Sequence, residues 1–217
     1  NPSIKYKISS LREKGCENII VLPLYPQYAS PTTASVCDEV YRVLLKMRWQ
    51  PSIQIVPHYE TNPFYINALV NSIKEKLKTL NYSPDLIITS YHGIPEKYFL
   101  KGDPYHCYCY KTTRLIEEKI NIKIPFMLTF QSRFGPQKWL SPYTDKTLEE
   151  LPSKGTKKVL LICPGFSSDC IETLEEISIQ AKDLFLKSGG ENFDFVPCLN
   201  DRDDHIELLY QLVSKFI

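Results

Sequence analysis

No apolar run in this sequence approaches the roughly 20 residues that a membrane-spanning helix needs. Residues 1–15 are too polar to act as a signal peptide. A charge excess of either sign is missing too: 26 basic and 25 acidic residues are mixed along the chain, for a formal net charge of +1. Without a basic arm or an acidic tail, nothing selects nucleic acid or a polyvalent partner. There is no glycine-rich phosphate loop, no nucleophile elbow and no H-E-x-x-H helix, which removes three common enzyme readings. An initiator Met is also absent, so the chain reads as truncated or processed.

What is present is an ordinary globular composition: 217 residues, 43% hydrophobic and 24% charged, enough for one large domain or two small ones. Seven cysteines are an odd number in a chain too large to need disulfide staples, which favours a reducing, cytoplasmic setting. Short β-branched runs predict strands at 18–24, 53–57, 85–89, 124–129, 158–163 and 193–197. Helical periodicity fills the gaps, at 3–14, 33–48, 63–79, 109–120, 145–151, 169–188 and 203–217, with Ser3, Asn62, Asp145 and Asp169 as N-caps. Alternating strands and helices predict an α/β fold of parallel sheets with covered faces, and Tyr82-Ser83-Pro84 marks a boundary between two units.

The unusual residues fall directly after predicted strands: the run 23–28, Ser90-Tyr91-His92-Gly93, Gln131-Ser132-Arg133 and Pro164-Gly165-Phe166. Ligands of open α/β sheets bind outside the carboxyl ends of the strands, so these four clusters are expected to line one cleft. His92 is suited to bind a metal or take a proton near neutral pH; a loop histidine bonded to a carbonyl is the plainer alternative. Glu172 and Glu176, spaced i and i+4, share a helix face and are suited to carry metal or protons. They fit equally well as acids at a helix start beneath an Asp169 cap. Tyr25, Tyr28, Tyr91, Trp139 and Phe166 crowd the predicted strand ends and offer apolar walls to a flat macrocycle, with Arg133 or Lys138 for its carboxylates. Cys107 and Cys109 form a C-x-C without a second half, which argues against structural zinc.

Taken together the ordered motifs resemble the ferrochelatase family. They are Leu22-Pro-Leu-Tyr-Pro-Gln-Tyr28, Ser90-Tyr-His-Gly-Ile-Pro95, Gly102-Asp-Pro-Tyr105, Gln131-Ser-Arg-Phe-Gly135, Trp139-Leu with Pro142-Tyr-Thr144, and the run from Pro164 to Ile177. The resemblance implies two Rossmann-like, chelatase-fold units with a porphyrin cleft between them, the first incomplete. Residues 1–82 are then the remainder of the first unit, 83–202 the second, and 203–217 a helix packing back on the first. It further implies ferrous iron (Fe2+) as substrate, inserted into protoporphyrin IX, with His92 and Glu172 catalytic and metal-facing. Asp169 and Glu176 are implied as acids leading away from that site, segment 25–33 as its floor and residues 92–105 as its rim. Tyr91 and Trp139 are implied as porphyrin neighbours or supports of the His92 loop. No [2Fe–2S] cluster is expected, since only Cys198 follows the active-site helix. Peripheral contact with a membrane surface stays open. A cobalt or nickel chelatase, and a porphyrin-binding fragment without turnover, are the competing readings.

Overall fold

The computed structural model describes residues 2–217. The runs predicted as strands all form strands, grouped in two parallel sheets. In the first, β1 (Asn18–Val21) pairs with β2 (Ser52–Ile55), Ile19 beside Ile53. The second has the order β4-β3-β5-β6, built from β3 (Leu86–His92), β4 (Phe126–Gln131), β5 (Lys158–Ile162) and β6 (Asn192–Val196). β3 is a central strand, its end paired to β4 through Tyr91 beside Phe130 and His92 beside Gln131.

Alternation along β3 and β5 divides the main core into two layers. Ile87, Leu160, Ile162 and Val196 face one side, where α3 (Pro63–Thr79), α5 (Tyr105–Ile120) and α9 (Asp203–Val213) cover them. Leu86, Ile88, Val159, Leu161 and Phe193 face the other, against α6 (Thr144–Glu150) and the long helical stretch that follows β5. Ile87 and Ile88 are fully buried on opposite faces, each side chain contributing about 1.5–3 kcal/mol. A smaller core of Ile8, Ile19, Val40 and Val43 joins the first sheet to α1 (Ile4–Glu13) and α2 (Ser35–Leu44). α3 thus packs on the four-stranded sheet beside α5 and α9, although it lies early in the chain.

Ser3 and Asn62 cap their helices, accepting from the amides of Tyr6 and Phe64. Asp145 and Asp169 do not. Asp145 sits inside the first turn of α6, where its carboxylate is held by the Arg133 guanidinium. Cys170, not Asp169, is the cap residue of α7 (Ile171–Leu174). The predicted helix 169–188 is broken into α7, a wide π-turn over Glu176–Ala181, and α8 (Lys182–Lys187). α5 starts at Tyr105 rather than 109, because Asp103 supplies an acceptor for the Tyr105 amide. A short helix, α4 (Glu96–Leu100), carries too few residues to show a period in the sequence. Among the described residues no helix is long and apolar enough to cross a membrane.

Candidate active site

His92 is the last residue of β3, so its ring emerges where the sheet ends and the chain turns away. The turn is tightly held. The Gly93 amide donates to the Gln131 carbonyl (2.8 Å), Leu140 N donates to Ile94 O (3.0 Å), and Glu96 N donates to Lys138 O (2.9 Å). A Cβ on Gly93 would stand 3.0 Å from that Gln131 carbonyl and 3.1 Å from the Trp139 ring, so only glycine lets the loop lie this close. The buried Tyr105 hydroxyl donates to the His92 carbonyl (2.9 Å) and fixes the backbone from the other side.

The His92 ring bonds the Gly93 carbonyl through Nδ1 (2.7 Å). A carbonyl can only accept, so Nδ1 carries the hydrogen, and in the neutral ring Nε2 keeps its lone pair. The carbonyl-bonded loop histidine and the chemically available one are therefore the same residue.

His92 lines a cavity of about 680 Å³ together with Glu172, Cys170, Tyr105 and Phe166 from the second sheet's loops, and Leu22, Leu24, Tyr25 and Gln27 from the end of β1. Strand-end loops of both sheets thus meet in one cleft. Glu172 comes from the first turn of α7. Its carboxyl is held below the ordinary value, first by the Cys170 thiol, which donates to Oε2 (3.0 Å), then by its own amide and by the His92 ring. Burial and then the Glu172 carboxylate push the Cys170 thiol up, so it remains an S–H donor. The position of α7 is set by Gln131. Its side chain accepts from Ser90 Oγ (2.7 Å) and donates to the Glu172 backbone carbonyl (2.7 Å).

Tyr25 and Phe166 stand on the cleft wall as their sequence positions predict. Three other aromatics do not. Tyr91 is completely buried, its hydroxyl 3.1 Å from that of Thr113 on α5, because odd positions of β3 point into the α5 side of the sheet. Trp139 is buried behind the His92 loop, packed on Gly93 and donating from Nε1 to the Phe134 carbonyl (3.0 Å). It supports the loop, the second of the two places the resemblance allowed. Tyr28 is half-buried outside the cleft lining; burial and then Asp103 push its hydroxyl up.

The acids separate as well. Asp169 Oδ2 accepts from Asn200 Nδ2 (2.8 Å), and its Oδ1 accepts from the Cys198 amide (3.2 Å) and the Thr173 hydroxyl (3.1 Å). Burial raises its pKa, but these donors outweigh it and leave the carboxyl below its usual range. Its lone pairs are committed to tying β6 to the start of α7. Glu176 lies one turn beyond Glu172 and lines a neighbouring cavity of about 300 Å³ with Ser132, Arg133 and Asp145. There it accepts from the Ser132 amide (2.7 Å) and hydroxyl (2.5 Å), which holds Ser132 at φ +62°. Among the described residues no three His, Cys, Asp or Glu side chains converge on a point where one metal ion could sit. Cys107 is exposed and Cys109 fully buried, so the C-x-C pair cannot close on one ion.

Two contributors carry weak sequence signals. Cys170 reads as a packed thiol, yet it stands two residues before Glu172 and donates to it. Gln27 is buried, donating to Thr112 (3.0 Å) and Tyr65 (3.2 Å), and anchors the β1 loop to α5 and α3. A polar side chain inside an otherwise apolar, proline-rich run is the one trace it leaves in the sequence.

A sequence model of one family, described as Ferrochelatase, matches residues 1–216. The ferrochelatase of Allorhizobium ampelinum is 54% identical over 215 residues, covering 99% of this chain and 62% of that protein. The ferrochelatase of Francisella tularensis subsp. holarctica is 52% identical over 220 residues, covering 100% of this chain and 66% of that protein. The chain therefore spans just under two thirds of the length of these curated relatives. Among solved structures, SirB from Bacillus subtilis with Fe3+ superposes with a TM-score of 0.73 at 14% identity, covering 99% of this chain and 77% of that one. That likeness speaks for the fold. With the family match running the length of the chain, and His92 and Glu172 gathered in one cleft, the chain belongs to the ferrochelatase family.

Proposed function

We propose that the chain carries the metal-insertion centre of a ferrochelatase, which places Fe2+ in protoporphyrin IX to form protohaem. The supporting observation is that His92 and Glu172 line one cavity, of about 680 Å³, whose walls are largely apolar. A flat macrocycle suits such walls, and a cavity of this size is in the usual range for small-molecule sites, about 300–1,000 Å³. Insertion requires two pyrrole N–H protons to leave while a dication enters. His92 Nε2 takes one of these protons from the macrocycle, and the nearby Glu172 carboxylate accepts the other. Both groups work in a partly desolvated cleft, where their charges act more strongly than in water.

Replacing His92 by Ala tests this reading. Metal insertion is expected to fall by at least about a hundredfold, the lower end of a general base's contribution, while a protoporphyrin absorbance titration is unchanged. Retained insertion would remove His92 from the mechanism. A second reading follows from length, since the chain covers 62% and 66% of the two relatives: the cleft holds porphyrin without turnover. Porphyrin binding with no zinc or iron insertion by the unaltered chain selects it.

A further inference from the structure

The two walls of the cleft are joined by one carboxylate that the mechanism leaves unused. Asp103 is only 7% exposed and follows Gly102, which closes the turn after Leu100 with a φ of +96°. Its Oδ2 accepts from both the amide and the hydroxyl of Ser30, each at 2.6 Å, across 73 residues of sequence. Its Oδ1 accepts from the Tyr105 amide at 3.0 Å. Ser30 opens the turn that carries Thr32 and leads to Val36, both on the cleft wall. Tyr105, on the other arm, lines the cleft and donates from its hydroxyl to the His92 carbonyl. A single side chain therefore ties the wall formed by segment 22–36 to the backbone of His92, through two links on one side and one on the other.

We propose that Asp103 is a positioning residue, a clasp that sets the gap between the two walls and thereby the fit of a flat ligand against His92. The ligand part of this inference rests on the porphyrin reading above; the clasp itself does not. A carboxylate suits this place because two of its partners are backbone N–H groups, which can only donate, and the Ser30 hydroxyl donates as well. In Asp103→Asn, if the amide oxygen stays with Tyr105, its NH2 faces the Ser30 N–H, donor against donor, and the backbone link is lost while the shape is kept.

The test is hydrogen exchange, with a porphyrin titration, on the unaltered chain and on Asp103→Asn. Loss of a charge-assisted bond predicts that exchange at the Ser30 amide accelerates by at least about tenfold. Segment 22–36 follows it, whereas β3 and β5 amides accelerate by no more than the modest fall in the thermal midpoint accounts for. Protoporphyrin affinity is expected to fall by about tenfold as well, and Ser30→Ala, which removes one of the two Ser30 links, gives an intermediate effect. Unchanged exchange at Ser30 overturns the clasp. Acceleration spread equally through β3 and β5 also overturns it, because Asp103 would then be a general stabiliser. Should Asp103→Asn fail to fold, Ser30→Ala decides on the same two criteria. An unaltered chain that binds no protoporphyrin sinks the porphyrin reading alone, and exchange still decides the clasp.

Discussion

The Gln131 side chain donates to the backbone carbonyl of Glu172, 2.7 Å away, from the end of the strand that neighbours His92. The two ends of the proposed chemistry are thus referred to one buried amide. Gln131 is 3% exposed, and its oxygen is taken by Ser90 Oγ at 2.7 Å, with the Cys163 thiol at 3.4 Å.

Gln131→Leu is expected to leave the Glu172 carbonyl without its side-chain donor, while the Ser90 hydroxyl keeps Thr144 Oγ1 at 2.9 Å, for a cost of about 1–3 kcal/mol. Urea unfolding measures the loss. Metal insertion should fall further than porphyrin affinity, since it is the placement of Glu172 that is disturbed; a loss confined to affinity would contradict this.

Gly93→Ala brings a methyl group to 3.0 Å from a backbone oxygen that is itself bonded to the Gly93 amide. Overpacking of this kind costs about 1–3 kcal/mol. Trimming the ring in a Gly93→Ala/Trp139→Leu pair should recover only part of it, because the carbonyl remains. Thermal denaturation of the single and double variants distinguishes the outcomes, and full recovery would show that the ring alone is the obstacle.

Asp169 predicts a pH dependence. Its folded-state pKa lies below the ordinary value, so its stabilising contribution is fully present above the unfolded value of about 3.9 and is lost as pH falls through the folded value. Asp169→Asn should therefore be less stable than the unaltered chain at pH 7, by about 1–3 kcal/mol. The gap should narrow below about pH 4, where the unaltered carboxyl begins to protonate. Urea midpoints at the two pH values test it; a gap that stays constant would mean that the loss is steric.

Tyr91→Phe should leave porphyrin titration unchanged, since the ring is buried in the core and only its hydroxyl, beside Thr113, is removed. Phe166→Ala, on the cleft wall, should weaken the titration by about tenfold for a lost aromatic contact of some 1.5 kcal/mol. Equal effects of the two changes would place Tyr91 in the site after all.

Strand positions were legible because each is a short β-branched run between breakers, and the cleft followed from what comes after β1, β3 and β5; the segment after β4, Gln131-Ser132-Arg133, instead lines the neighbouring cavity. Which aromatic faces the cleft was not legible. β3 is buried on both faces from Leu86 to Tyr91, so the usual apolar–polar alternation that marks an inside and an outside is missing. The helix acids misled for a related reason. Spacing puts Glu172 and Glu176 on one face, but the partners that claim them, Cys170 and Ser132, lie on different segments, one of them 44 residues away. The start of α5 depended on a carboxylate two residues upstream that also reaches across to Ser30, a tertiary contact invisible to local propensity.

The separate seats of Glu172 and Glu176 make the two acids independent instruments. Cys170, the local amide and His92 hold the Glu172 carboxyl down against the opposing effect of burial, while Glu176 is held by Ser132. Neutralising both should give the sum of the two single effects on stability to within the few tenths of a kcal/mol, about 0.2–0.5, by which i, i+4 charges act on each other. Variation at one position can then retune a single cavity without detuning the other.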